Sequence, residues 1–83
     1  MRDTTTVYGR QACVDTVRSR AMLDHFGVTY TFVDVEHDER FWSESERISG
    51  RRNVPVILLP DGSHLVEPSE DELAVRLQQA GLL

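Results

Sequence analysis

Short strand-like and helix-like patterns alternate along the whole chain, and this alternation restricts its fold more than any other feature. Thr4–Tyr8 is rich in β-branched residues and ends at Gly9, which predicts a short strand. Val14, Val17, Ala21 and Phe26 then recur at helical spacing with Arg18, Arg20 and Asp24 between them, and Gly27 stands where a helix-closing glycine belongs. Thr29–Val35 returns to strand character, Tyr30, Phe32 and Asp34 alternating against Thr31, Val33 and Val35. Asp38–Ser49 is helical again: Phe41, Ser45 and Ile48 share a face, Glu44 and Arg47 stand three apart, and Gly50 can close the element. Trp42 lies beside that face as a core, half-exposed or contact residue. Pro55–Leu59 is an apolar strand entered through proline, Pro60-Asp61-Gly62-Ser63 is a turn signal, and His64–Val66 completes a hairpin. Ser69-Glu70-Asp71-Glu72 is a capping box that starts a last helix, running through Leu73, Leu77 and Ala80 and stopping at Gly81.

The order β-α-β-α-β-β-α leaves few topologies. Strand–helix–strand at the start predicts a right-handed parallel crossover, and the hairpin adds antiparallel strands beside it. Strand order 2-1-3-4 follows most simply, a four-stranded mixed sheet with helices on both faces, of the α/β class. At 83 residues the chain makes a single domain, residues 1–83. A chain of this size buries only about 60–65% of its unfolded surface, so the core is thin.

The net charge of −5 argues against nucleic acid as a partner, because nucleic-acid binders present a basic face. All nine basic residues are Arg, a residue that suits anion recognition better than Lys does. Met1-Arg-Asp-Thr-Thr-Thr lacks the apolar core of a signal peptide, and the longest apolar run, Val56–Leu59, is far short of a membrane span. A cytoplasmic protein with no membrane partner is therefore expected. Cys13 is the only cysteine, which excludes an intrachain disulfide. Together with three scattered histidines (His25, His37 and His64) it also argues against a structural zinc site, so no metal is expected.

Cys13 stands between the first strand and the first helix. The unpaired N–H groups of that first turn favour thiolate over thiol, and Arg10, three residues upstream, can add a full positive charge. A thiolate so placed is suited to attack on a disulfide. The bland alternative is a buried, inert cysteine. Asp15 supports the helix start but, if turned to the sulfur, raises the thiol pKa. Thr16, one helical turn on, can donate its hydroxyl to a thiolate or serve only as a half-buried helix residue. In Asn53-Val54-Pro55 a cis bond would turn the Val54 backbone outward toward an extended ligand. Arg51 and Arg52 can clamp a carboxylate or simply complement the helix dipole. The helix start at Pro68-Ser69-Glu70 offers N–H groups to an anion, and its acids would suit an amino group.

These segments together resemble the glutaredoxin family of the thioredoxin fold across essentially the whole chain. Val7-Tyr8-Gly9-Arg10-Gln11-Ala12-Cys13 is similar to the family's [IV]-Y-[ST]-K-x-x-C, Gly50–Pro55 to its G-[QR]-R-T-V-P with the cis-proline, and Asp61-Gly62-Ser63 with Glu67-Pro68-Ser69 to the ending of the small bacterial, mycoredoxin-like branch. The resemblance implies a thiol–disulfide oxidoreductase with Cys13 as nucleophile, assisted by Arg10 and Thr16. It further implies a low-molecular-weight thiol, glutathione or mycothiol, as co-substrate, held by Tyr8, Arg51, Arg52, Val54, Pro55, Ser69 and Glu70. No other cofactor is expected, the partners are thiolated proteins, and the protein acts as a monomer. The segment Cys13-Val14-Asp15-Thr16 is neither the family's C-P-[YF]-C nor its C-G-F-S. A monothiol mechanism is thus implied, with the second thiol borrowed from outside the chain. The alternatives are an iron–sulfur carrier as a thiol-bridged dimer and a non-catalytic interaction domain of glutaredoxin shape.

Overall fold

The computed structural model describes residues 4–83, so part of the N-terminal stretch read for a targeting signal lies outside the described residues. The elements are β1 (Thr5–Gly9), α1 (Val14–His25), β2 (Tyr30–Asp34), α2 (Glu39–Ser49), β3 (Val56–Leu58), β4 (His64–Val66) and α3 (Glu70–Gln79). The sheet order is β2-β1-β3-β4, with β1 parallel to β2 and antiparallel to β3, and β3 antiparallel to β4. Order, class and topology agree with the sequence expectation. Boundaries move by a residue, most usefully at Gly9: it does not end the first strand but belongs to it, opposite Asp34 of β2.

Alternation along the strands divides the core in two. On one side Val7 and Ile57 meet Leu23 of α1 and Leu73 and Leu77 of α3. On the other, Tyr8, Val35, Val54 and Val56 lie under Phe41, Trp42 and Ile48 of α2. Each fully buried Leu or Ile contributes about 1.5–3 kcal/mol relative to exposure. The helix ends follow local chemistry. Asp38 caps α2 by accepting from the Arg40 amide, Gly50 closes it in the left-handed region (φ 82°), and Ser69 and Glu72 form the reciprocal capping box of α3.

The buried face of α1 is not the apolar stripe that its spacing suggests. Val14 is 74% exposed and Val17 51%, and Ala21 and Phe26 are also on the surface; Thr16, Ser19 and Leu23 are the residues turned inward. At the start of α1, Thr16 comes so close to Gly9 of β1 that a Cβ there would meet it at 2.5 Å.

Candidate active site

Cys13 is the N-cap residue of α1, with extended backbone geometry, and its side chain caps no helix amide. Its own amide donates to the Arg10 carbonyl at 3.1 Å, and its carbonyl accepts from Val17 at 2.9 Å, so the Arg10–Cys13 turn feeds directly into the helix. Cys13 is half-buried. Burial pushes the thiol pKa up, but the surrounding polar groups outweigh it and leave the pKa below the ordinary thiol value: the Thr16 hydroxyl, the Thr16 and Asp15 amides and the Arg10 side chain, in that order.

The carboxylate of Asp15 pairs with Arg18 at 2.5 Å, while its amide favours the thiolate. Thr16 is wholly buried, and its hydroxyl accepts a long bond (3.4 Å) from the Arg10 amide.

Sheet register gathers the remaining segments at the same end of the molecule. Tyr8 pairs with Val56, so the C-terminal end of β1, which leads to Cys13, lies beside the start of β3. The Val54–Pro55 bond there is cis. Both side chains are buried, and among the described residues no turn, cap or loop hydrogen bond uses the Val54 amide or carbonyl. Val56 pairs in turn with Val66, and the Glu67 amide donates to the Pro55 carbonyl at 2.9 Å; Glu67 takes a positive φ (47°) to make this connection. Pro68 and Ser69 follow, bringing the start of α3 to the same edge. Arg18 of α1 lines a shallow groove with Ser69, Glu70 and Asp71, a neighbour that its position in sequence does not announce.

Two expected ligand residues have other employment. Tyr8 is only 2% exposed and packs in the α2-side core, so its ring offers no ligand surface. Arg52 reaches back to Glu39 (2.9 Å) and Glu46 (3.5 Å) and lies over the Trp42 ring, 4.6 Å from its centroid. Its charge is thereby occupied, and Trp42 is half-buried beneath it. Arg51 is exposed and enters no ion pair among the described residues. Ser69 directs its hydroxyl to the Glu72 amide (3.1 Å), which leaves Glu70 exposed beside it. No group of three or more potential metal ligands occurs among the described residues.

A half-buried thiol whose first-turn donors favour the thiolate, beside a cis-proline strand start on this topology, narrows the family sharply. The sequence model of the family described as Glutaredoxin matches residues 5–65. The chain belongs to the glutaredoxin family. A Mycobacterium tuberculosis protein that carries a glutaredoxin designation is 32% identical over 73 residues, 87% of each chain. Among solved structures, the glutaredoxin of Archaeoglobus fulgidus superposes with a TM-score of 0.78 at 22% identity, covering 86% of this chain and 82% of the other. Buckwheat glutaredoxin in complex with glutathione gives 0.68 at 18% identity, covering 95% and 71%. These structural likenesses establish the thioredoxin fold. The present glutaredoxin is a glutaredoxin-like thiol–disulfide oxidoreductase with one cysteine.

Proposed function

We propose that this protein reduces mixed disulfides between proteins and a low-molecular-weight thiol by a monothiol mechanism at Cys13. The observation that carries the reading is a single, half-buried cysteine, Cys13, at the N-cap of α1 in a chain of the glutaredoxin family. In the first step the Cys13 thiolate attacks the small-thiol sulfur of the mixed disulfide. A Cys13–small-thiol disulfide forms, the S–S bond between the small thiol and the substrate protein breaks, and the substrate protein leaves as a thiolate that takes a proton. In the second, the thiolate of another small-thiol molecule attacks that adduct at the small-thiol sulfur. Cys13 leaves as thiolate, and the two small thiols depart as their disulfide. Oxidation of the small thiol balances reduction of the protein, so no second cysteine is required.

The small thiol belongs to the glutathione or mycothiol class. Glutathione is supported by the buckwheat complex, and mycothiol by the mycobacterial relative and the Asp61–Ser69 ending. The Val54 backbone pairs with the extended part of the ligand, Arg51 holds a carboxylate, and the start of α3 at Ser69 and Glu70 receives the polar end. Arg52 contributes by holding Trp42 and α2 in place.

The test is turnover of a model mixed disulfide with each thiol, together with intact mass after exposure to oxidised glutathione and oxidised mycothiol separately. A single adduct on wild type, absent from Cys13→Ser, together with turnover, is expected. Wild-type activity no greater than that of Cys13→Ser overturns the proposal.

A further inference from the structure

Gly9 is a glycine inside a paired, buried strand, where the missing side chain weakens the strand and needs a reason. Backbone freedom is not that reason, because Gly9 is not among the glycines with positive φ. Space is. A Cβ on Gly9 would stand 2.5 Å from Cγ2, 2.6 Å from Oγ1 and 3.1 Å from Cβ of Thr16, closer than carbon and oxygen atoms approach without repulsion. Neither backbone is free to shift, so the Thr16 side chain must give way. Gly9 pairs with Asp34 and its carbonyl accepts from Val35 at 3.0 Å, while Thr16 is wholly buried in the first turn of α1. The Thr16 hydroxyl in turn accepts from the Arg10 amide at 3.4 Å, at the head of the Arg10–Cys13 turn, and its influence on Cys13 lowers the thiol pKa.

We propose that Gly9 is a positioning residue for the nucleophile: the space left by its absent side chain seats Thr16 against the Arg10 amide, in the turn that carries Cys13 into α1. The two residues form one unit. Any side chain at position 9 displaces the Thr16 hydroxyl and weakens its influence on Cys13, although position 9 itself touches neither sulfur nor substrate. This inference rests on Cys13 being the nucleophile of the proposed function, but its consequence is a property of the thiol and is read without turnover.

The experiment is the pH profile of Cys13 alkylation by iodoacetamide in wild type, Gly9→Ala, Thr16→Ala and the double variant, with a thermal melt of each. Gly9→Ala is expected to move the alkylation midpoint upward, as Thr16→Ala does, and the double variant to move it no further than Thr16→Ala alone. The double variant, freed of the γ-atoms, should also melt above Gly9→Ala. If Gly9→Ala fails to fold while the double variant folds, the clash is demonstrated directly. A Gly9→Ala midpoint equal to that of wild type overturns the proposal. So does a further shift in the double variant, or a double variant that does not fold where Thr16→Ala does. Absence of mixed-disulfide turnover in wild type would instead sink the oxidoreductase mechanism and leave these alkylation outcomes standing.

Discussion

Ser69 separates a structural role from a ligand role, and its removal has a calculable effect. Its hydroxyl accepts from the Glu72 amide at 3.1 Å, and its amide donates to the Glu72 carboxylate at 3.1 Å. Ser69→Ala removes the first bond and leaves the second, because the backbone amide remains. The site is exposed, so water partly replaces the lost acceptor, and the cost is about 1 kcal/mol, within the usual range for an N-cap deletion. A domain of 83 residues has a total stability of roughly 4–12 kcal/mol at the common per-residue value. The loss is thus a tenth to a quarter of the whole, and the melting temperature falls by about 4–8 °C. Ser69→Asp keeps an acceptor and adds a charge that favours the positive helix end, so it should recover most of the loss. Circular dichroism during heating and during urea unfolding reads both effects, with an unchanged urea slope because the surface exposed on unfolding is the same. The iodoacetamide profile of Cys13 should not move in either variant, since its donors come from α1 and the preceding turn. A Ser69→Ala loss below about 0.3 kcal/mol, or an Asp variant no better than Ala, refutes the capping argument.

Other outcomes follow from single residues. Leu77→Ala empties a fully buried position where α3 meets the sheet and should cost about 2.7–5 kcal/mol by urea unfolding, a large part of the total. Gly50→Ala meets no neighbouring atom, so its cost is backbone alone, about 1–2 kcal/mol from forcing an L side chain into the left-handed region, measured by the same method. Arg52→Gln should change Trp42 fluorescence and leave the KM for a mixed disulfide near wild type, whereas Arg51→Gln should raise that KM; the reverse pattern would reassign the carboxylate contact to Arg52. The lowered Cys13 pKa stabilises the fold above its unfolded value, and that contribution is lost as pH falls through the folded value. Wild type should therefore gain stability with rising pH between the two values, and Cys13→Ser should not.

The architecture was legible because each element carried its own local signal. The capping box at Ser69, the glycine after Ser49 and the alternation in β2 depend on neighbours a few residues away, and all appear as expected. What the chain order hid was set by contacts between distant segments. Val14 and Val17 recur at helical spacing yet lie on the surface, while Thr16 turns inward to meet Gly9 of β1. The pairing of Arg52 with Glu39 spans thirteen positions and depends on the chain reversing at Gly50. Tyr8, a ligand residue only by the family resemblance, is carried by strand alternation into the α2-side core. A glycine inside a strand was the one available signal for the Thr16 contact.

The cations around the site also change the electrostatic account of Cys13. A basic rim formed by Arg10, Arg51 and Arg52 on a chain of net charge −5 would stabilise the thiolate over long range and would be screened by salt. In the structure Arg52 answers Glu39 and Glu46, Arg18 answers Asp15, and the Arg10 side chain is the weakest of the donors to the sulfur. The stronger donors are neutral: a buried hydroxyl and two helix amides. Their effect depends on orientation and contact at hydrogen-bond distance, which a Debye length of about 3 Å at 1 M salt does little to weaken. The alkylation midpoint of Cys13 should therefore stay nearly constant between about 0.01 M and 1 M salt, where the screening length contracts tenfold. Arg10→Gln should shift it less than Thr16→Ala. A midpoint that climbs steadily with salt, and an Arg10→Gln shift exceeding that of Thr16→Ala, would return the thiolate to the control of full charges.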